Sequence, residues 1–315
     1  MRIVFCGTPE FAVPALRALL ANPEFAVEAV VTQPDRPRGR GQRVSASPVK
    51  EVAAQAGVRI FQPASMKSDE ARDFVAEIKP DAVVIIAYGQ IIPRRLLEIP
   101  RLGWMNLHGS LLPKYRGAAP IAWAIINGER KTGLTTMRLD PGLDTGPILI
   151  KREIEIGSDE TAPELAKRMA DLGAPLVAES LIKLERGEIA PIPQDSTQAS
   201  YAPILTKEHG RIDWSLTAGE IYNRIRGLAP WPGAFTTLRG QLCQIWGRPS
   251  TSAVASDATA AHEPGTLIVS DAIEVICGQG TRLQLEAAQL EGRKRISAHE
   301  FVNGARLASG ERFGG

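Results

Sequence analysis

Along the first 188 residues, short apolar runs alternate with longer stretches whose apolar positions recur every three or four residues. Residues 3–6, 27–31, 82–87 and 104–107 form the short runs and predict strands buried on both faces. Between them, residues 16–20, 49–54 and 71–78 carry the helical period, and 165–184 predict one long amphipathic helix closing the region. Strand and helix in strict alternation imply a mostly parallel sheet with helices on both faces, a Rossmann-like α/β domain over residues 1–188.

The pattern then changes. Residues 189–206 are polar and rich in proline with little apolar periodicity, which predicts an extended linker. A brief helical pattern at 218–225 follows. Short alternating runs at 234–238, 242–246, 265–269, 272–276 and 282–285 then predict a second, smaller all-β domain over 207–315, and five strands of that spacing fit a small barrel. Residues 250–262 are small and polar without periodicity and predict a surface loop.

Composition narrows the class. A chain of 315 residues is long enough for two cores. Its three cysteines, Cys6, Cys243 and Cys277, are odd in number and far apart, so neither a disulfide framework nor a metal cage is expected. No leader pattern precedes the first strand and no apolar stretch nears the roughly 20 residues of a membrane span. A soluble cytoplasmic protein without membrane contact is the expectation. Net charge is only +2, and residues 207–315 hold 12 basic against 11 acidic side chains, so any nucleic-acid surface must be a local patch. Arg293, Lys294 and Arg295 form one such run, with Arg224 and Arg226 as candidate additions. The densest run is Arg36, Arg38, Arg40 and Arg43 in a Pro/Gly loop, where guanidinium forks could grip phosphates.

The chemistry concentrates at one strand end. Asn106 and His108 close the fourth strand, and a Gly-flanked Asp144 follows. Asn can polarise a carbonyl, His can hold or move a proton, and Asp can fix the imidazole's tautomer and favour its charged form, a combination suited to acyl transfer. A lone histidine here would read as structural; the amide, imidazole and carboxylate together, beside a Pro/Gly-shaped loop, reverse that. Residues 87–93, which include Tyr88, Gly89, Gln90 and Ile91, leave another buried strand at the same edge, where ligands of open α/β sheets bind, and could hold a flat ring. The turn at Gly7 lacks the glycines of a dinucleotide loop and reads as structural, with Thr8 as a helix cap and the regular helix starting near Ala12.

These residues carry a family resemblance. Residues 106–113 (Asn-Leu-His-Gly-Ser-Leu-Leu-Pro), 116–121 (Arg-Gly-Ala-Ala-Pro-Ile) and 142–146 (Gly-Leu-Asp-Thr-Gly) resemble the folate-dependent formyltransferases, and the likeness continues through 5–12, 32–41, 47–50, 61–63, 87–93, 212–215 and 225–232. The resemblance implies an OB-like carboxyl-terminal domain, a monomer, and 10-formyltetrahydrofolate as formyl donor without a metal. It implies a catalytic set of Asn106, His108 and Asp144, with Ser110, Leu111, Leu112 and Pro113 on the folate. The 32–41 segment further implies initiator methionyl-tRNA as acceptor, its stem gripped by the arginine loop.

The catalytic set alone leaves the amine open, since a glycinamide ribonucleotide or an amino-sugar nucleotide would use the same chemistry. The arginine insertion and appended barrel are what a small acceptor does not need. A non-enzymatic RNA-binding protein would leave Asn106, His108 and Asp144 without a purpose.

Overall fold

The structure is a computed structural model that describes residues 1–38, 43–251 and 263–314, with backbone alone at 37, 38, 43 and 44. It divides into two compact units, and the division is not a single cut: residues 1–120, 131–155 and 164–203 form the first, and 121–130, 156–163 and 204–315 group as the second.

In the first unit the strands are β1 (Arg2–Gly7), β2 (Ala26–Val31), β3 (Arg36–Arg38), β4 (Arg43–Ser45), β5 (Arg59–Phe61), β6 (Ala82–Ile86), β7 (Trp104–His108), β8 (Arg116–Gly117), β9 (Lys131–Arg138), β10 (Ile148–Glu155) and β11 (Tyr201–Ala202). The helices are α1 (Val13–Ala21), α2 (Pro48–Gln55), α3 (Asp69–Ile78) and α4 (Arg94–Leu97), then α5 (Pro120–Ile126) and α6 (Ala162–Glu185), which each cross a unit boundary. Seven strands make the main sheet in the order β10-β9-β7-β6-β1-β2-β5. Pairing is parallel from β7 to β5, whereas β9 and β10 run antiparallel at the edge. The chain leaves β1 toward β5 and returns to β6 on the other side, so the order reverses between β1 and β6, and the carboxyl ends beside that point form the usual ligand edge.

Local chemistry sets the helix ends. Ser47 and Ser68 accept hydrogen bonds from the amides of Lys50 and Ala71, capping α2 and α3 at about 1 kcal/mol each. Thr8 does not cap α1: its hydroxyl donates to Tyr88 O at 3.4 Å, and a short 3-10 turn, Glu10–Ala12, precedes α1, whose first turn accommodates Pro14. Val4, Cys6, Ala29, Val31, Val83 and Ile85 form a continuous apolar face against α3 and the loop at Met66. The arginine segment is an antiparallel hairpin of β3 and β4.

The second unit adds α7 (Ala218–Gly227), β12 (Phe235–Leu238), β13 (Gln241–Pro249), β14 (Leu267–Val269), β15 (Ile273–Ile276), β16 (Arg282–Leu290), β17 (Ile296–Ser297) and α8 (Ala298–Ala305). Its sheet is antiparallel, ordered β12-β13-β16-β15-β14 with β17 on β16. Among the described residues, strand does not meet strand to close it. Instead the tail spans the gap: Leu267 N donates to Glu311 O, Phe313 N to Gly265 O and Gly314 N to Thr237 O. Residues 156–163 group here because Arg226 donates to the carbonyls of Gly157 and Glu160, and Tyr222 donates to Asp159. Residues 121–130 do so partly through Trp123, edge-on to His209.

Candidate active site

Strand alternation puts Asn106 and His108 on one face of β7, while Leu107 points the other way, toward Gly173 of α6. His108 is only 5% exposed. Its Nε2 lies 2.9 Å from the carbonyl of Tyr115, an acceptor only, so Nε2 must carry a proton and donate. The nitrogen left for chemistry is therefore Nδ1. It faces Asp144 Oδ2 at 3.7 Å, a charge contact too long for a direct hydrogen bond. That oxygen also accepts from the amide of Gly117 at 2.8 Å. The Asn106 side chain is half-buried and has no hydrogen-bond partner among the described residues, so its amide is free for a ligand.

Asp144 is held by its loop. Its φ of 52° is left-handed, a conformation Asp tolerates better than most residues. Asp140 Oδ1 accepts from Gly142 N and Thr145 Oγ1, and Arg138 N donates to Pro147 O across the loop base. At Gly146 a Cβ would stand 1.8 Å from Arg138 O, so only glycine permits that close approach. The sequence motif of Gly142, Asp144 and Gly146 is thus built into the geometry of the turn.

The residues expected on the folate divide into two kinds. Tyr88 is 2% exposed, its ring packed in the core and its hydroxyl without a partner, and burial pushes that phenol up. Only its backbone can meet a ligand, and its carbonyl already accepts from Thr8 and Gln33. Gln90 is committed to the protein, accepting from Met66 N and donating toward Pro63 O and Gln33 Oε1. Gly89 and Ile91 are exposed, and their backbone groups have no hydrogen bond among the described residues. Register places this segment beside β7, since Ile85 of β6 pairs with Asn106. In the following loop, Leu112 is fully buried against Met137 and Ile148, and Ser110 spends its hydroxyl on Lys114 O. Leu111 and Pro113 are the partly exposed members.

Arg36, Arg38 and Arg43 lie on the β3–β4 hairpin, with Arg38 opposite Arg43; Arg36 is exposed, and Arg40 lies outside the described residues. Most of the 250–262 loop also lies outside them. In the second unit Arg293, Lys294 and Arg295 are exposed, with Arg295 over the Trp246 ring at 4.1 Å. Arg226 does not join them, being buried with its guanidinium donating to Gly157 and Glu160; Arg224 is half-buried and donates once, to His209 O.

All three cysteines are buried, and burial pushes their thiols up, Cys243 to about 11 and Cys277 to about 12, which removes them as thiolate nucleophiles near neutral pH. Among the described residues no group of three or more His, Cys, Asp or Glu could hold a metal, and no helix is long and apolar enough to cross a membrane.

Two residues with a direct hold on this site carry no signal in the sequence. Gln194 and Ser200 sit in the proline-rich stretch, yet Gln194 donates to Asp144 O and Ser200 accepts from Tyr115 N. That stretch is laid along the first unit, with Ile148 bridged to Ile192 and β11 paired to β8.

The pattern of the Formyl transferase family matches residues 1–181, and that of the Formyl transferase C-terminal domain matches 204–306. A methionyl-tRNA formyltransferase of Solibacter usitatus is 51% identical over 315 residues, covering 100% of this chain and 99% of that one. Another, of Citrifermentans bemidjiense, is 49% identical over 100% of this chain and 96% of its own. Among solved structures, a sugar 3N-formyl transferase studied with dTDP and 5-N-formyl-THF aligns with a TM-score of 0.67 at 19% identity, over 93% of this chain and 99% of that chain. An N-formyltransferase from Helicobacter canadensis, in complex with folinic acid and dTDP-3-aminofucose, gives 0.67 at 18% identity, over 90% and 98%. The last two likenesses are of fold.

Proposed function

The chain belongs to the formyl transferase family, and we propose that it moves the formyl group of 10-formyltetrahydrofolate onto the α-amino group of methionine esterified to initiator tRNA, acting as a cytoplasmic monomer. The observation that carries the chemistry is the partner-free Asn106 amide on the same strand face as His108, whose free nitrogen is turned to Asp144. Full-length likeness to the methionyl-tRNA formyltransferases supports the acceptor.

The neutral amine attacks the formyl carbon, a nitrogen–carbon bond forms, and the carbonyl oxygen becomes an oxyanion. Asn106 N–H donates to that oxygen, and so does Nδ1–H of His108 when the ring carries both protons; each bond strengthens as charge develops. Asp144 faces the Nδ1 proton at 3.7 Å and orients the ring from that side. The ammonium proton of the adduct passes to the Asp144 carboxylate, the member of the pair still able to accept one, and a proton from the pair reaches the folate N10 as its bond to carbon breaks. The products are the formylated aminoacyl-tRNA and tetrahydrofolate, with no covalent enzyme adduct. The remaining contribution is proximity, two bound substrates reacting as one complex.

In this reading the folate lies along Gly89, Ile91 and the 110–113 loop, met by backbone groups and apolar side chains, with Ser110 and Leu112 shaping the loop from within. Domain 1–188 carries the chemistry, 189–206 links it to the OB-like domain 207–315, and Arg36, Arg38, Arg40 and Arg43 bind the tRNA backbone. Formylation of charged initiator tRNA, compared with glycinamide ribonucleotide and an amino-sugar nucleotide under one formyl donor, tests the acceptor. Turnover confined to the tRNA is expected, and preferential turnover of either small amine would overturn the assignment.

A further inference from the structure

We propose that Gln194 and Ser200 are positioning residues for the reaction, setting Asp144 and His108 from the proline-rich stretch that follows α6. This rests on the roles given to His108 and Asp144 above.

The contacts converge from one segment on both members of the pair. Gln194 Nε2 donates to the carbonyls of Asp144 at 2.8 Å and Gly146 at 2.7 Å, gripping the turn on either side of Thr145. Its Oε1 accepts from Nε and Nη2 of Arg116 at 3.1 and 2.8 Å. Arg116 is 2% exposed, and its other side-chain acceptor is Ser196 Oγ. Gln194 is thus fixed at both ends of its amide and cannot turn over without stranding a buried guanidinium or two carbonyls.

Ser200 holds the imidazole at one remove. Its hydroxyl accepts from Tyr115 N at 2.9 Å, its carbonyl accepts from Arg116 N at 2.8 Å, and its amide donates to Pro113 O at 3.3 Å. Tyr115 has a left-handed φ of 60°, and its carbonyl is the acceptor that fixes His108 Nε2. One residue beyond Arg116, Gly117 N donates to the Asp144 carboxylate. Residues 115–117 therefore carry one anchor for each member of the pair, and Ser200 with β11 holds that short strand in register. A loosened grip would leave substrates bound while the pair drifts from the reacting atoms, which lowers kcat rather than raising KM.

The experiment uses the full chain with charged initiator tRNA and 10-formyltetrahydrofolate, on Gln194→Met, Ser200→Ala, Ser200→Thr, Asp144→Ala and the Gln194→Met/Asp144→Ala double variant. Gln194→Met should lower kcat by about tenfold or more and Ser200→Ala by roughly fivefold, with both KM values inside about twofold. Ser200→Thr keeps the hydroxyl and should restore most of the loss. Adding Gln194→Met to Asp144→Ala should cost nothing further, because the first acts through the second. Unchanged kcat in Gln194→Met and Ser200→Ala, a loss carried by KM, or a fully additive double variant would each overturn the proposal. Should Gln194→Met fail to fold, the Ser200 pair decides alone. Near-normal turnover of Asp144→Ala would instead overturn the catalytic reading itself, so the two failures are told apart.

Discussion

Two largely buried charge pairs in this molecule are built to opposite ends. In the second unit Glu274 and Arg282 meet at 3.0 Å across paired strands β15 and β16, and Ser250 donates to the second carboxylate oxygen. In the first unit His108 and Asp144 stand 3.7 Å apart, and among the described residues the amide of Gly117 is the one hydrogen-bond donor to the Asp144 carboxylate. In the first pair both carboxylate oxygens are taken up within the fold, while Arg282 Nε is buried without a partner among the described residues. The second keeps hydrogen-bonding capacity in hand beside a free Asn106, which is what a site needs if a substrate oxygen is to complete it. Burial of charge alone therefore does not separate the two pairs; the difference is a filled Glu274 carboxylate against an Asp144 carboxylate with capacity left open.

Breaking each pair should expose the difference. Asp144→Ala and Asn106→Ala should each lower kcat by about 10²–10⁴-fold with little change in melting temperature and with tRNA affinity retained, as read from steady-state kinetics and tRNA titration. Glu274→Ala should do the reverse, costing roughly 3–5 kcal/mol of stability in denaturant unfolding because Arg282 is left buried without its carboxylate, while kcat of the folded fraction holds. A fall in turnover with stability unchanged at Glu274 would erase the contrast.

A third kind of charge belongs to the β3–β4 hairpin. Replacing Arg38 and Arg40 with Ala should raise the KM for tRNA and flatten the dependence of kcat/KM on salt, by roughly one unit of log–log slope for each phosphate no longer neutralised, with kcat near the parent value. The smallest effect is expected at the hairpin's root, where the hydrogen bond from Lys50, then that from Gln62, holds the Asp35 carboxyl below the usual carboxylate range. A depressed folded value means the contribution is present above the unfolded value of about 4 and is lost as pH falls through the folded one. Asp35→Asn should therefore melt slightly below the parent at pH 7, and the gap should close in acid.

What was legible in the sequence follows the physics of each element. The parallel strands read cleanly because 3–6 and 82–86 are buried on both faces and uniformly apolar. The edge hairpin β9–β10 did not, since Thr132, Thr135 and Thr136 are buried polar residues and β10 carries Lys151, Arg152 and Glu153 on its exposed positions. Asn106 and His108 were visible as polar residues two apart at a strand end, and Asp144 through its glycines. Gln194 and Ser200 were invisible because they act on backbone groups 50 and 85 residues away, and such contacts leave no periodicity. Arg224 and Arg226 looked like surface charge in a helical pattern, yet carbonyls at 209, 157 and 160 draw them inward. The strands of the second unit were read directly; the bonds that residues 311–314 make to them come from a short tail with a single apolar residue, Phe313, too brief to show a period.

The most direct test of the central claim is a single-turnover measurement of formyl transfer to charged initiator tRNA by His108→Ala, with enzyme and 10-formyltetrahydrofolate saturating. The predicted result is a transfer rate at least about a hundredfold below the parent with tRNA affinity unchanged, and a rate within about tenfold of the parent would contradict it.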